Sequence, residues 1–257
     1  MGRFDSSKTR VQPIMRALFQ SGVAITDWLP RRMSMGGRGI PPKDIGSLQP
    51  GNPHFEFPAT PPRDFLRWLV LHPDRLVPPK YETAVATVQK RAALLARDPA
   101  TVRMALDAID NPGLSHERRW WCFEGTTMVD CAIITNRLAI FIEGKRTEVG
   151  PSSGVSWYPS RNQVVRNLDC ARWYALEHDL DYYSMLVIEQ CEQGDERWSH
   201  AEAVSSWKVM RASLPHLSEE QVREAGRHNL GWTTWQRIAS EFGLPDALLP
   251  RVGFDAE

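Results

Sequence analysis

Thr126-Thr127-Met128-Val129-Asp130-Cys131-Ala132-Ile133-Ile134-Thr135, then Asn136-Arg137, then Leu138-Ala139-Ile140-Phe141-Ile142-Glu143-Gly144-Lys145, is the stretch whose reading decides the fold. The first run is rich in Thr, Val and Ile and the last is almost wholly apolar, so the two read as strands joined by a short turn. Side chains alternate across a strand, which puts Glu143 and Lys145 on one face with Ala139 and Phe141. Ile140, Ile142 and Gly144 point to the other side. Pairing about a turn at 136–137 sets residue 143 opposite a residue near 130. Asp130 and Glu143 are then placed to share a cation, with the Lys145 ammonium beside them.

Hard carboxylate oxygens suit Mg²⁺ or Mn²⁺, and Mg²⁺ held by one or two carboxylates plus a substrate phosphate is its usual habit. A Glu and a Lys two residues apart also suit a solvated strand edge, so the surrounding elements carry weight. Residues 118–123 read as a preceding strand, 149–160 as a Gly/Pro/Ser loop, 160–178 as a helix and 182–188 as a further strand. In that helix Pro159 stands in the first turn, and Val164, Leu168, Ala171 and Ala175 make the buried stripe. Gln163, Asn167, Cys170 and Tyr174 form the adjacent stripe, while Arg161 and Arg166 on the helix surface are candidates for phosphate contact. The element order predicts an α/β fold with a mixed central sheet flanked by helices.

The acid, the thirteen-residue step, the Glu143-Gly144-Lys145 triplet and the crossover helix with its further strand resemble the PD-(D/E)XK nuclease superfamily. Its motif is an acidic residue, a variable gap, then an acidic residue, any residue and lysine. The likeness spans residues 114–190, and the string Glu143-Gly144-Lys145-Arg146-Thr147-Glu148 is similar to a set of bacterial proteins of this nuclease type. It departs from the motif at Val129, where a proline would precede the acid. The resemblance implies a restriction-endonuclease-like core with N- and C-terminal helical elaborations. It also implies metal-dependent hydrolysis of phosphodiesters, with nucleic acid, DNA in particular, as partner and Mg²⁺ or Mn²⁺ as cofactor. Asp130, Glu143 and the backbone carbonyl of Gly144 or Cys131 would hold the metal, Lys145 would act on the attacking water or the transition state, and Gln163 would orient substrate or lysine. Several branches add an upstream acid, for which Glu117 is preferred over Glu82; Glu124 reads as turn chemistry. Trp157, in the loop after the motif, is a candidate for stacking on a base.

Composition sets the remaining bounds. The chain has 257 residues, 31 acidic and 31 basic, so it lacks the basic excess of a dedicated nucleic-acid coat. Seven basic residues against Asp5 and Asp27 fall within residues 1–40, a basic arm suited either to phosphates or to solvent. Residues 41–80 hold ten of the nineteen prolines and are expected to be irregular, apart from a short helix at Arg63–Leu71. The expected organisation is an N-terminal arm (1–80), a nuclease-like core (81–195) and a C-terminal helical extension (196–257). Helices are expected at 81–97, 100–109, 198–214, 218–228 and 230–243. Cys122, Cys131, Cys170 and Cys191 form no Cys-x-x-Cys pair, which argues against zinc or iron–sulfur ligation and for reduced thiols. With no apolar signal core and no run of about twenty apolar residues, a cytoplasmic protein without membrane contact is expected. Oligomeric state stays open, a homodimer included. The competing readings are a catalytically silent nucleic-acid-binding or scaffold protein and a glycosidase, in which Lys145 would have no role.

Overall fold

The computed structural model describes residues 6–22, 24, 39–49, 53–77, 85–111, 124–146, 148, 153–155 and 158–249. Its strands are β1 (His54–Ala59), β2 (Thr127–Ile134), β3 (Leu138–Gly144), β4 (Ser153–Val155), β5 (Tyr158–Asn162), β6 (Asp181–Ile188) and β7 (Asn229–Thr234). Five form one open sheet in the order β1-β2-β3-β6-β7, while β4 and β5 make a separate ribbon. The β1–β2 and β2–β3 pairs are antiparallel and the β3–β6 and β6–β7 pairs parallel, so the sheet is mixed, as the element order predicts. The 136–137 turn closes as expected: Thr135 Oγ1 accepts the N–H groups of Arg137 and Leu138. The register Cys131↔Ile142 to Ile134↔Ala139 carries residue 130 opposite residue 143.

Helices cover both faces. Besides a single turn at Pro42–Ile45, the α-helices among the described residues are α1 (Gln12–Gln20), α2 (Arg63–Leu71), α3 (Val85–Leu95), α4 (Pro99–Asp110), α5 (Gln163–His178), α6 (Glu196–Ala203), α7 (Trp207–Ser213), α8 (Glu219–Arg227) and α9 (Trp235–Glu241). One face of the sheet buries Cys131, Ile133, Ile140, Ile142, Met185 and Val187 against α1 and α9. The other buries Ala132, Ala139 and Phe141 against Cys170 and Ala171 of α5. Helices α2, α3 and α4 share a smaller cluster around Phe65 and Leu69. The predicted α5 stripe of Val164, Leu168, Ala171 and Ala175 is buried. Asp98 caps α4 by accepting the Thr101 N–H at 2.8 Å, and Ser218 and Gln221 form the capping box of α8. No helix among the described residues is long and apolar enough to cross a membrane.

Several elements differ from expectation for identifiable reasons. The neighbour of β2 is β1, from the proline-rich segment; Pro58 is tolerated because β1 is an edge strand, one side of whose ladder has no partner strand in the sheet. The expected strand at 118–123 lies outside the described residues. Segments 1–80 and 196–257 are not mere additions to the core, since β1 and β7 complete its sheet. Residues 230–243 split into β7 and α9, because Leu230, Trp232 and Thr234 are buried at every second position before Thr234 caps the helix through the Arg237 N–H. Likewise 198–214 splits into α6 and α7, whose N-cap is Ser206. Pro159 lies in β5, and α5 begins only at Gln163, where the Asn162 side chain accepts the N–H groups of Val164 and Val165. Within the expected basic arm, Val11, Ile14, Met15 and Leu18 are core residues, and Arg10 is buried in a bidentate pair with Glu189.

Arg161 is the largest correction. It stands in β5 rather than on a helix surface, is fully buried, and makes ion pairs at 2.9 Å with both Glu124 and Asp169. It also donates to the Ser213 carbonyl and lies over the Phe65 ring, with Cζ 3.8 Å from the centroid. Arg172 extends the network from Asp169 to Asp64, and the His216 imidazole stands 3.3 Å from Asp169. Burial alone would raise the Asp169 carboxyl, but His216, Arg161 and Arg172 hold it well below the usual range. Glu124, expected to serve as turn chemistry, is thus a structural anchor that joins β2's approach to β5; burial pushes its carboxyl up against the pull of Arg161 and Arg166. Removing one partner of a buried ion pair strands the others, at a cost of about 3–5 kcal/mol. Arg161→Met is expected to lose that much stability in urea unfolding; a variant as stable as wild type would show that the guanidinium does not hold the ribbon to the core.

Candidate functional site

Glu143 is the last charged residue of β3 and is only 2% exposed. Its carboxylate is held by three donors: Lys145 Nζ to Oε1 at 2.6 Å, Gln163 Nε2 to Oε1 at 2.6 Å, and Asn167 Nδ2 to Oε2 at 2.7 Å. Strand alternation places Glu143 and Lys145 toward α5, and the α-helical repeat puts Gln163 and Asn167 one turn apart on a single face of that helix. The structure thus brings Glu143, Lys145 and Gln163 together, and Asn167, from the same helix stripe as Gln163, joins them. Burial alone would lower the Lys145 ammonium; Glu143, then Asp130 and Glu148, more than offset that and hold it above its ordinary 10.5.

Asp130 reaches the same place by a route that alternation does not predict. Phe55 pairs with Cys131 and Phe57 with Val129, which leaves Glu56 opposite Asp130. Phe55 lies under Arg16 of α1, whereas Phe57 contacts Phe141 and Tyr174 on the α5 side. Residues two apart in a strand ordinarily share a face, so β1 and β2 turn over together at Glu56 and Asp130. Glu56 takes a left-handed φ of 49° to do so. Local irregularities of this kind re-aim side chains next to sites. Here the Asp130 carboxylate swings onto the end of β3, where Oδ2 accepts the Gly144 N–H at 2.8 Å.

Whether these residues suit a divalent cation is a question of oxygen lone pairs. A carboxylate offers about four acceptor directions. The three donors on Glu143 take three, two on Oε1 and one on Oε2. Among the described residues the remaining direction, on Oε2, meets no donor. Among the described residues no group of three or more His, Cys, Asp or Glu comes together as a metal cage. Two carboxylates with the remainder left to carbonyl, water and phosphate oxygens match the habit of Mg²⁺ rather than that of a closed structural zinc site.

The other expected residues fare differently. Arg166 is mostly buried, donating to Thr127 Oγ1 at 2.8 Å and facing Glu124 at 3.4 Å, so it braces β2 against α5 rather than presenting itself to phosphate. Glu117 and Trp157 lie outside the described residues. Cys131 and Cys170 are buried thiols, pushed up chiefly by burial.

The Lys145 pair makes a prediction with a definite sign. An ammonium held above 10.5 in the folded chain contributes stability that is complete below that pH and is lost as pH rises through the folded value. The difference in unfolding free energy between wild type and Lys145→Met should therefore be flat from pH 8 to 10 and shrink above it. A difference that does not change up to pH 12 would mean that the ammonium gains nothing from Glu143. No family model matches the chain, and neither the curated proteins nor the solved structures contain a significant match to it.

Proposed function

We propose that the protein is a divalent-metal-dependent nuclease that hydrolyses phosphodiester bonds of nucleic acid, with DNA as the substrate class, on a restriction-endonuclease-like core. One observation carries the reading: a buried glutamate at the end of a central strand is gripped at 2.6 Å by the lysine two residues on, with Asp130 swung onto the same strand end. A structural ion pair has no need of the aspartate, and a solvated edge has no need of burial.

Asp130 and Glu143 are the residues that would hold Mg²⁺ or Mn²⁺, with the Gly144 carbonyl as the additional oxygen. Such an ion supplies a Lewis acid for the phosphate oxygens and lowers the pKa of bound water. Gln163 and Asn167 fix the rotamer of Glu143, so its free lone pair keeps one direction. The Lys145 ammonium, which among the described residues donates to Oε1, can turn toward a non-bridging oxygen where negative charge develops. Its raised pKa keeps it a cation at neutral pH, which suits transition-state stabilisation rather than removal of a proton from water.

A second reading, a catalytically silent nucleic-acid-binding or scaffold protein that kept the fold, is favoured by the near saturation of Glu143. The two separate in one experiment: the protein and Lys145→Ala are incubated with single-stranded and duplex DNA and RNA in Mg²⁺, Mn²⁺ or EDTA. Loss of one such donor typically costs about 10²–10³ in rate. The nuclease reading expects cleavage that needs metal and falls by that factor in the variant. Binding of nucleic acid without cleavage of any substrate would leave the scaffold reading standing.

A further inference from the structure

Gly144 sits between the two acting residues, in a short stretch of backbone held by several hydrogen bonds. Its N–H goes to Asp130 Oδ2 at 2.8 Å, and the following N–H, of Lys145, goes to the Val187 carbonyl of β6 at 2.8 Å. The Lys145 carbonyl accepts the indole N–H of Trp235 at 3.1 Å. Trp235 is the first residue of α9, fully buried, and far along the chain from the motif. A Cβ on residue 144 would meet Trp235 Cζ2 at 2.8 Å and collide with Val11 Cγ2 on the approach to α1. The middle position of the triplet therefore has room for glycine only, because helical segments from both ends of the chain close on it.

We infer that Trp235 is a positioning residue: its indole N–H fixes the Lys145 peptide where β3 ends, and so sets where the Lys145 ammonium and the Asp130 carboxylate stand relative to Glu143. Beyond Gly144 the β3–β6 ladder stops, and the Val187 bond holds the Lys145 peptide from one side only. The indole supplies the other. A lysine side chain is long and flexible, so an error of its Cα is carried to the ammonium, and displacements on the order of 1 Å cost about a hundredfold in rate. The C-terminal segment thus belongs to the site, although it contributes no group to the chemistry.

The inference rests on the nuclease reading, and its test reads the clamp separately from turnover. Trp235→Phe keeps most of the ring and removes the N–H. Two measurements follow on wild type and variant, at a temperature where both are folded by circular dichroism: amide hydrogen exchange at Gly144 and Lys145, and single-turnover cleavage of DNA with Mg²⁺. The expected result is exchange at these two amides about tenfold faster, the loss of one hydrogen bond, with amides of β6 and α5 unchanged. The cleavage rate constant should fall tenfold or more, with half-saturation by DNA unchanged. Gly144→Ala should reproduce the faster exchange, and adding Val11→Ala should partly reverse it by opening space for the new methyl group. A protein that cleaves nothing yet shows the exchange change would sink the nuclease reading and keep the clamp. Unchanged exchange, or an unchanged cleavage rate in an active enzyme, overturns the role of Trp235.

Discussion

A carboxylate taken out of water at the end of a central strand governs much of what surrounds it. Glu143 has almost no contact with solvent, and a buried charge persists only when it is paired and its lone pairs are met. One donor comes from the residue just past its own strand and two from α5. That requirement fixes the rotation of α5, because Gln163 and Asn167 must face the sheet while Val164, Leu168 and Ala171 still fill the core. It also fixes the start of the helix. Gln163 is its first residue, so the first turn, with its partial positive charge, is brought toward the carboxylate. Asn162 ends β5 and caps α5, and the ribbon is positioned in turn by the same need.

Helix α5 carries two polar systems that do different work. Gln163 and Asn167 reach Glu143, whereas Asp169 and Arg172 belong to the buried network with Arg161, Asp64 and His216. In that network guanidiniums and carboxylates interleave, and it ties α2, β5 and His216, in the loop after α7, to α5. Around Lys145, by contrast, one ammonium stands among Glu143, Asp130 and Glu148. Interleaved charges fix a ribbon in place, while carboxylates gathered about one cation are the arrangement into which a second cation fits. The contrast separates the structural cluster from the candidate site more sharply than burial does, since both are buried.

What the sequence disclosed follows local geometry. The hairpin, the shared face of Glu143 and Lys145, the register that sets 143 opposite 130 and the apolar stripe of α5 all depend on periods of two or 3.6, and the folded chain has each of them. What it concealed depends on partners far along the chain. Nothing in Tyr158-Pro159-Ser160-Arg161-Asn162 announces that Glu124 and Asp169 will close on Arg161. Asp130 stands out by its type and spacing, but its aim is set by the left-handed Glu56 on a strand whose local propensity reads as irregular. The β7 strand is hard to read because it is only six residues long and runs straight into α9 with no turn between them, so the whole stretch reads as one element until the open edge of β6 takes up its first half.

Gly144 shows how a local motif and the distant chain constrain each other. An acid-x-lysine triplet requires nothing of its middle residue, yet here the segments around Val11 and Trp235 come so close that any side chain would displace one of them. The close approach is also what lets the indole N–H reach the Lys145 carbonyl. A larger residue at 144 would push α1 and α9 away from the sheet face and open the space over Ile142, whereas glycine lets both ends of the chain seal it. The same contact thus completes the core on one side of β3 and steadies the peptide between Glu143 and Lys145, whose side chains form the candidate site on the other. This is how Val11 and Trp235, on the far side of the sheet from Glu143, constrain the candidate site.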